Sequence, residues 1–195
     1  MPSPTDNTYQ TGLYRSTDNG ATWALIDFAG EELYQIRFNA DGTVLYALTF
    51  IGTKIDRLNR DGGDLYTLTF DQNDATGTSY TKNLVRSEVR NMDASPDVAD
   101  EGVMLDNDQN IFSFTNYGAT TSLLVSNFNN FTSHFFIEIN PSNSQHIVSY
   151  GFGSLRQDGF IWSNDGGLTW NSIEEDEIAG TIPTWFDYAP INFAS

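Results

Sequence analysis

Cysteine is missing from all 195 residues, which excludes disulfides and thiolate chemistry and leaves the redox compartment open. Lysine is nearly missing, with Lys54 and Lys82 the two in the chain, and histidine is as scarce, with His134 and His146. No apolar run is long enough to cross a membrane as a helix, and Met1-Pro2-Ser3-Pro4-Thr5-Asp6 has neither the basic start nor the apolar stretch of a signal peptide. Positive charge is short overall: 9 Lys+Arg face 26 Asp+Glu, a formal net charge of −17 with a pI near 4.1. Such a field repels nucleic acid and anionic membranes, so neither is an expected partner. It suits a salty or calcium-containing medium, where screening limits self-repulsion; ordinary solubility accounts for it equally well. Helical periodicity is also rare.

What the chain does have is aromatic and β-branched mass. Aromatics reach 14%, with 14 Phe and 9 Tyr, which suits a β-rich globular protein of one good-sized domain. Ser163-Asn164-Asp165-Gly166-Gly167-Leu168-Thr169-Trp170 repeats Ser16-Thr17-Asp18-Asn19-Gly20-Ala21-Thr22-Trp23, both fitting Ser-x-Asp-x-Gly-x-Thr-Trp. Each is entered by a short apolar-aromatic run, Leu13-Tyr14 or Phe160-Ile161-Trp162, and left by another that ends in Ile26 or Ile173. That pattern predicts a hairpin. Asp18 and Asp165 accept hydrogen bonds from turn amides, Gly20 and Gly167 take positive φ, and Thr22-Trp23 or Thr169-Trp170 start the outgoing strand.

These two stretches resemble the Asp-box, or bacterial neuraminidase repeat, of the β-propellers in sialidases, sortilin-type receptors, xyloglucanases and a photosystem II assembly factor. The resemblance implies an all-β fold in which the box closes the hairpin between the third and fourth strands of each blade, usually away from any active site. Degenerate copies are read at Asn59-Arg60-Asp61-Gly62-Gly63-Asp64-Leu65-Tyr66, which keeps Asp61 and Gly63, and at Phe114-Thr115-Asn116-Tyr117-Gly118-Ala119-Thr120-Thr121, which keeps Asn116 and Gly118. Glycines 20, 63, 118 and 167 are then spaced 43, 55 and 49 apart by subtraction, about one propeller blade per interval.

The other half of each repeat agrees. Leu33 to Phe38, Val89 to Ala94 and Phe135 to Ile139 each lead through a polar turn, twice with Pro, into a second apolar strand, and Trp185-Phe186-Asp187-Tyr188-Ala189-Pro190 looks like one more opening strand. The expectation is one propeller domain over 1–195, about four blade repeats of four-stranded antiparallel sheets. A partial blade covers 1–32, three blades cover 33–86, 87–133 and 134–180, and opening strands of another cover 181–195. Either the terminal strands complete the first half-blade and close a four-bladed ring, or the chain is an open arc that needs a neighbour. The two-stranded start and short tail favour the arc.

Chemistry is harder to find. A sialidase-like site would need three arginines on a carboxylate, a Tyr nucleophile, an Asp acid/base and an Arg-Ile-Pro motif; no Arg-Ile-Pro occurs, and Arg15, 37, 57, 60, 86, 90 and 156 show no pattern that makes three converge. No catalytic residue is carried over. A xyloglucanase-like cleft would need two propellers. His134 and His146 have no Ser or Cys motif beside them, and two His without Cys do not suggest zinc. In Asp106-Asn107-Asp108-Gln109-Asn110, the oxygens of Asp106, Asp108 and Asn110 alternate as at the start of a calcium loop, but the turn Gly and closing Glu are missing. A plain Asp/Asn hairpin turn competes with that reading. Calcium is the one cofactor considered, and Glu174-Glu175-Asp176-Glu177 is most simply a solvated acidic turn.

Two polar stretches, 71–79 and 126–133, are read as lying between strands. Phe128 and Phe131 beside asparagines offer either a sugar-stacking surface or ordinary core, and Asn130-Phe131-Thr132 is a glycosylation sequon of meaning only in a eukaryotic secretory host. The expected function is a non-enzymatic binding or assembly module that recognises glycan or protein, such as a virion or cell-surface structural component, with self-assembly or neighbouring subunits as partners. The alternative is a fragment of a glycoside hydrolase, sialidase- or xyloglucanase-like, whose catalytic residues lie outside this chain.

Overall fold

The structure is a computed structural model, and it describes residues 11–49, 62–74, 77–126, 134–152 and 158–174. Asp61, Phe128, Phe131, the sequon and the 181–195 strands lie outside the described residues.

Among the described residues, thirteen strands form three antiparallel sheets. β1 (Leu13–Arg15) and β2 (Ala24–Asp27) make a lone hairpin. β3 (Leu33–Phe38), β4 (Val44–Thr49), β5 (Gly63–Phe70), β6 (Tyr80–Ala94), β7 (Gly102–Asp106), β8 (Ile111–Thr115) and β9 (Thr120–Val125) lie side by side in chain order. β10 (His134–Asn140), β11 (Asn143–Phe152), β12 (Asp158–Ser163) and β13 (Asn171–Glu174) form the last sheet. Within each sheet every strand pairs with its sequence neighbour, the order of an antiparallel meander.

The seven-stranded sheet is two four-stranded meanders that share β6. Residues Tyr80 to Arg86 pair with β5, whereas Asn91 to Ala94 pair with β7, and Val89 faces both Gly63 and Asp106. The change of partner sits beside Glu88, whose φ of 62° bends the strand and whose carbonyl accepts the Asn107 amide at 2.9 Å. The first half of β6 is largely exposed and the second half largely buried.

Three apolar clusters separate the layers in chain order. Leu13 and Phe28 pack on Leu45, Ala47, Leu68 and Phe70. Val44, Tyr46, Leu48 and Leu65 pack on Val89, Met92, Met104 and Phe114. Val103, Leu105 and Ile111 pack on Ile137, Ile139, Ile147 and Ile161. Side chains alternate across a strand, so β4 sends Val44, Tyr46 and Leu48 to one cluster and Leu45 and Ala47 to the other. This is why Val-Leu-Tyr-Ala-Leu-Thr is buried at every residue and carries no polar alternation.

Scarce basic side chains act as clamps between layers. Lys82 pairs with Asp27 at 3.0 Å and lies 3.7 Å from the Phe28 ring centre, which ties the lone hairpin to β6. Arg15 stacks over Phe70 at 4.5 Å and donates to the Gly77 carbonyl at 2.6 Å.

Among the described residues, the Tyr46 hydroxyl is a buried group without a hydrogen-bond partner, in a fully buried side chain packed 5.1 Å from the Phe114 ring. Burial pushes its phenol well up. Tyr46→Phe removes this unsatisfied group while keeping the ring, and is expected to raise stability by about 1 kcal/mol in chemical denaturation.

Candidate functional site

The two best-defined polar constructions are the turns that join β1 to β2 and β12 to β13. In the first, Ser16 donates to Asp18 at 2.8 Å and accepts the Gly20 amide at 2.7 Å. Asp18 accepts the Thr22 amide at 2.8 Å and the Thr22 hydroxyl at 2.6 Å, and Trp23 Nε1 donates to the Gly20 carbonyl at 3.2 Å. The second turn repeats each bond: Ser163 to Asp165 at 2.8 Å, Gly167 amide to Ser163 at 2.8 Å, Thr169 amide and hydroxyl to Asp165 at 2.9 and 2.6 Å, and Trp170 to Gly167 at 2.9 Å. Gly20 and Gly167 sit at φ of 86° and 91°, where a side chain is strained. Ser163 is fully buried and Ser16 is not. Ser163→Ala strands the buried Gly167 amide and is expected to cost about 2 kcal/mol, against a few tenths for Ser16→Ala, where water substitutes. Paired melts check this contrast.

The Thr hydroxyls first, then the Thr amides, hold Asp18 and Asp165 down at about 2. Since these folded values lie below the unfolded one of 3.8, their stabilisation is present above pH 3.8 and is lost as pH falls through about 2. An Asp18→Asn, Asp165→Asn double variant is expected to show a smaller drop in melting temperature across that acid window than the parent chain.

The two weaker box assignments fare differently. Asn116 and Gly118 do lie in the β8–β9 turn, with φ of 50° and 88°, and the turn closes through the Ala119 amide on the Asn116 carbonyl at 3.1 Å. Gly63 is not a turn residue. It is the first residue of β5, and a Cβ there would overlap the Thr49 carbonyl oxygen, so its role is close backbone approach. The hairpin between β5 and β6 is instead built on Asp74, which accepts the Thr78 amide at 2.9 Å and the Ser79 amide at 2.7 Å. Asp74 and Thr78 keep the four-residue spacing of Asp18 and Thr22, the one signal that could have found them, but Ser, Gly and Trp are missing from their places.

Of the alternating oxygens in the Asp106 turn, those of Asp106 itself are already engaged. Asp106 Oδ1 accepts the Asn110 amide at 2.9 Å, and Oδ2 accepts Arg86 and Asn110 Nδ2, both at 3.1 Å, in a carboxylate that is 5% exposed. Asp108 is exposed. Of the two readings offered for this segment, these bonds support the plain hairpin turn: an arginine neutralises Asp106 and the segment joins β7 to β8. Among the described residues no group of three His, Cys, Asp or Glu is placed to hold a metal. The His146 ring lies 3.3 Å from both the Asn140 and Asn143 amides, within a strand-end turn.

A polar seam that the sequence reading missed crosses the first strands of the three layers. Aligned on the turns that follow them, Gln35, Asn91 and Phe136 are equivalent, as are Arg37, Asp93 and Glu138. Gln35 Oε1 accepts the Met92 amide at 3.2 Å, Asn91 Oδ1 accepts the Ile137 amide at 2.9 Å, and Asp93 Oδ2 accepts the Ile139 amide at 2.9 Å. Each side chain thus satisfies an outward amide one residue further along the next strand. Arg37 also pairs with Asp93 at 3.2 Å. Burial raises Asp93 despite these bonds, and burial with the nearby Asp93 charge raises Glu138. These two groups act opposite to Asp18 and Asp165, since protonation on acidification relieves the folded state.

Among the described residues, the seam has no strand that precedes β3. β3 is the edge of its sheet, and Ile36 and Phe38 are 45% and 57% exposed, whereas the equivalent Met92, Ile137 and Ile139 are 0%, 0% and 7%. Trp23 is likewise 62% exposed, although its counterpart Trp170 packs against the last core cluster. Arg15, Arg37, Arg86 and Arg90 each engage a different partner: Phe70, Asp93, Asp106 and Asn107.

No protein-family model matches the chain, and no curated protein matches it. No helix among the described residues is long and apolar enough to cross a membrane.

Proposed function

We propose that the chain is a non-enzymatic binding or assembly module built on an arc of an Asp-box β-propeller. The observation that carries this reading is the open face of β3: Ile36 and Phe38 stand exposed, whereas at the equivalent positions of the later repeats Met92, Ile137 and Ile139 are buried and Ala94 is half-buried. Support for the blade-like succession comes from the three cores in chain order, from the directional seam, and from the turn glycines. Gly118 and Gly167 each seat on the outer strand of the layer before, where a Cβ would come within 2.5 Å of Val85 and 2.6 Å of Leu124. Exposed edges with large apolar side chains are sites at which another element adds.

The neighbour is a protein surface, either a second copy or another subunit, and glycan recognition falls to the turn rims. Solution mass by light scattering tests the reading. A defined oligomer that falls to monomer in Phe38→Glu supports it, whereas a monodisperse monomer, unchanged in mass and melt by Phe38→Glu, overturns it.

A further inference from the structure

A cleft of about 210 Å³ opens at the rim where the second meander meets the last sheet. Its apolar floor is the end of the third core cluster, with Val103, Ile139 and Ile147. Its walls include Glu101, Ser113, Thr115 and Gln145. The wall chemistry follows from strand alternation. Ile111 packs toward the last sheet, so Ser113 and Thr115 continue the same face of β8 as it leaves the core for solvent. Gln145 and Gly166 are fixed against each other by the Gly166 amide on the Gln145 carbonyl at 2.9 Å, so the turn that closes on Ser163 and Asp165 also forms one side of the cleft.

The Ser113, Thr115 and Gln145 side chains are not engaged in the hydrogen-bond networks that hold the surrounding turns, where Ser95 binds Asp97 at 2.9 Å. Two hydroxyls and an amide, each able to donate and accept, and a carboxylate that only accepts, thus surround a small apolar floor. This is the composition of a small-molecule site, at a size below the roughly 300–1,000 Å³ of drug-sized pockets.

We propose that this cleft binds a single neutral sugar ring, with Glu101, Ser113 and Thr115 hydrogen-bonding its hydroxyls and the Val103–Ile147 floor carrying its C–H face. The proposal deepens the glycan half of the reading above. Charge sets the class. Among the described lining residues none is basic, Glu101 is acidic, and the whole chain carries −17, so a carboxylated sugar such as a sialic acid meets repulsion and no counter-ion.

The test is a ligand-observed NMR and calorimetric titration of the full chain with glucose, galactose, mannose, N-acetylglucosamine and sialic acid, alongside its solution mass. Saturable binding of at least one neutral sugar is expected, weakened at least tenfold in both Glu101→Gln and Ser113→Ala with melting temperature unchanged, and with sialic acid inert. No saturation by any neutral sugar overturns the proposal, as does preference for sialic acid or binding that persists in both variants. The mass reading is independent, so an oligomer that binds no sugar sinks the cleft alone, and a sugar-binding monomer sinks the assembly reading alone.

Discussion

Asn91→Ala is expected to destabilise the chain by about 3 kcal/mol in urea denaturation, more than a polar-to-alanine change usually costs. Asn91 is 4% exposed, and its two ends serve different layers: Oδ1 takes the Ile137 amide at 2.9 Å and Nδ2 donates to Gln35 Oε1 at 3.2 Å. Truncation leaves the amide of a fully buried residue without an acceptor and removes the bridge to Gln35. Asn91→Asp keeps the acceptor for Ile137 but loses the donor and adds a charge two residues from Asp93, so an intermediate loss is expected. Equal losses in the two variants would show that the Gln35 contact, rather than the Ile137 amide, carries the effect.

Gly63→Ala is expected to cost at least about 3 kcal/mol or to prevent folding. The added methyl would overlap the Thr49 carbonyl oxygen, which is backbone of the neighbouring strand and cannot swing aside as a side-chain tip does. The Thr49 hydroxyl, which accepts the Asp64 amide at 3.0 Å, would be displaced with it. Gly42→Ala is the control. A Cβ at Gly42 meets nothing within 4 Å, so its cost of about 1 kcal/mol comes from φ of 74° alone. If both substitutions cost the same, close approach is not the role of Gly63.

The hairpins with Ser16 to Trp23 and Ser163 to Trp170 were legible because every bond that shapes them closes within eight residues, so local chemistry fixes them. The turn on Asp74 was passed over in favour of Asp61 and Gly63 because a glycine that permits close packing and a glycine that permits a turn look alike in a sequence. The same ambiguity left calcium and a plain turn both open at Asp106. Alternating oxygens look like a metal ladder until Arg86, twenty residues earlier, is placed against them. The seam lay beyond reach for the same physical reason, since Asn91 and Ile137 are 46 residues apart and no local pattern announces their meeting. The cleft was equally hidden: Ser113 and Thr115 are ordinary strand residues until the last sheet is laid over Ile111.

The shared strand β6 has a consequence for how the molecule opens. Two meanders joined through one continuous backbone cannot release independently, because loosening either pulls on the bend at Glu88 and on the Asn107 amide bound there. The β1–β2 hairpin and the last sheet are held differently, by side chains laid across layers. Amide hydrogens should therefore exchange through three separate openings, with β3 to β9 as the last and largest unit to yield and the two ends able to come away while it stays intact.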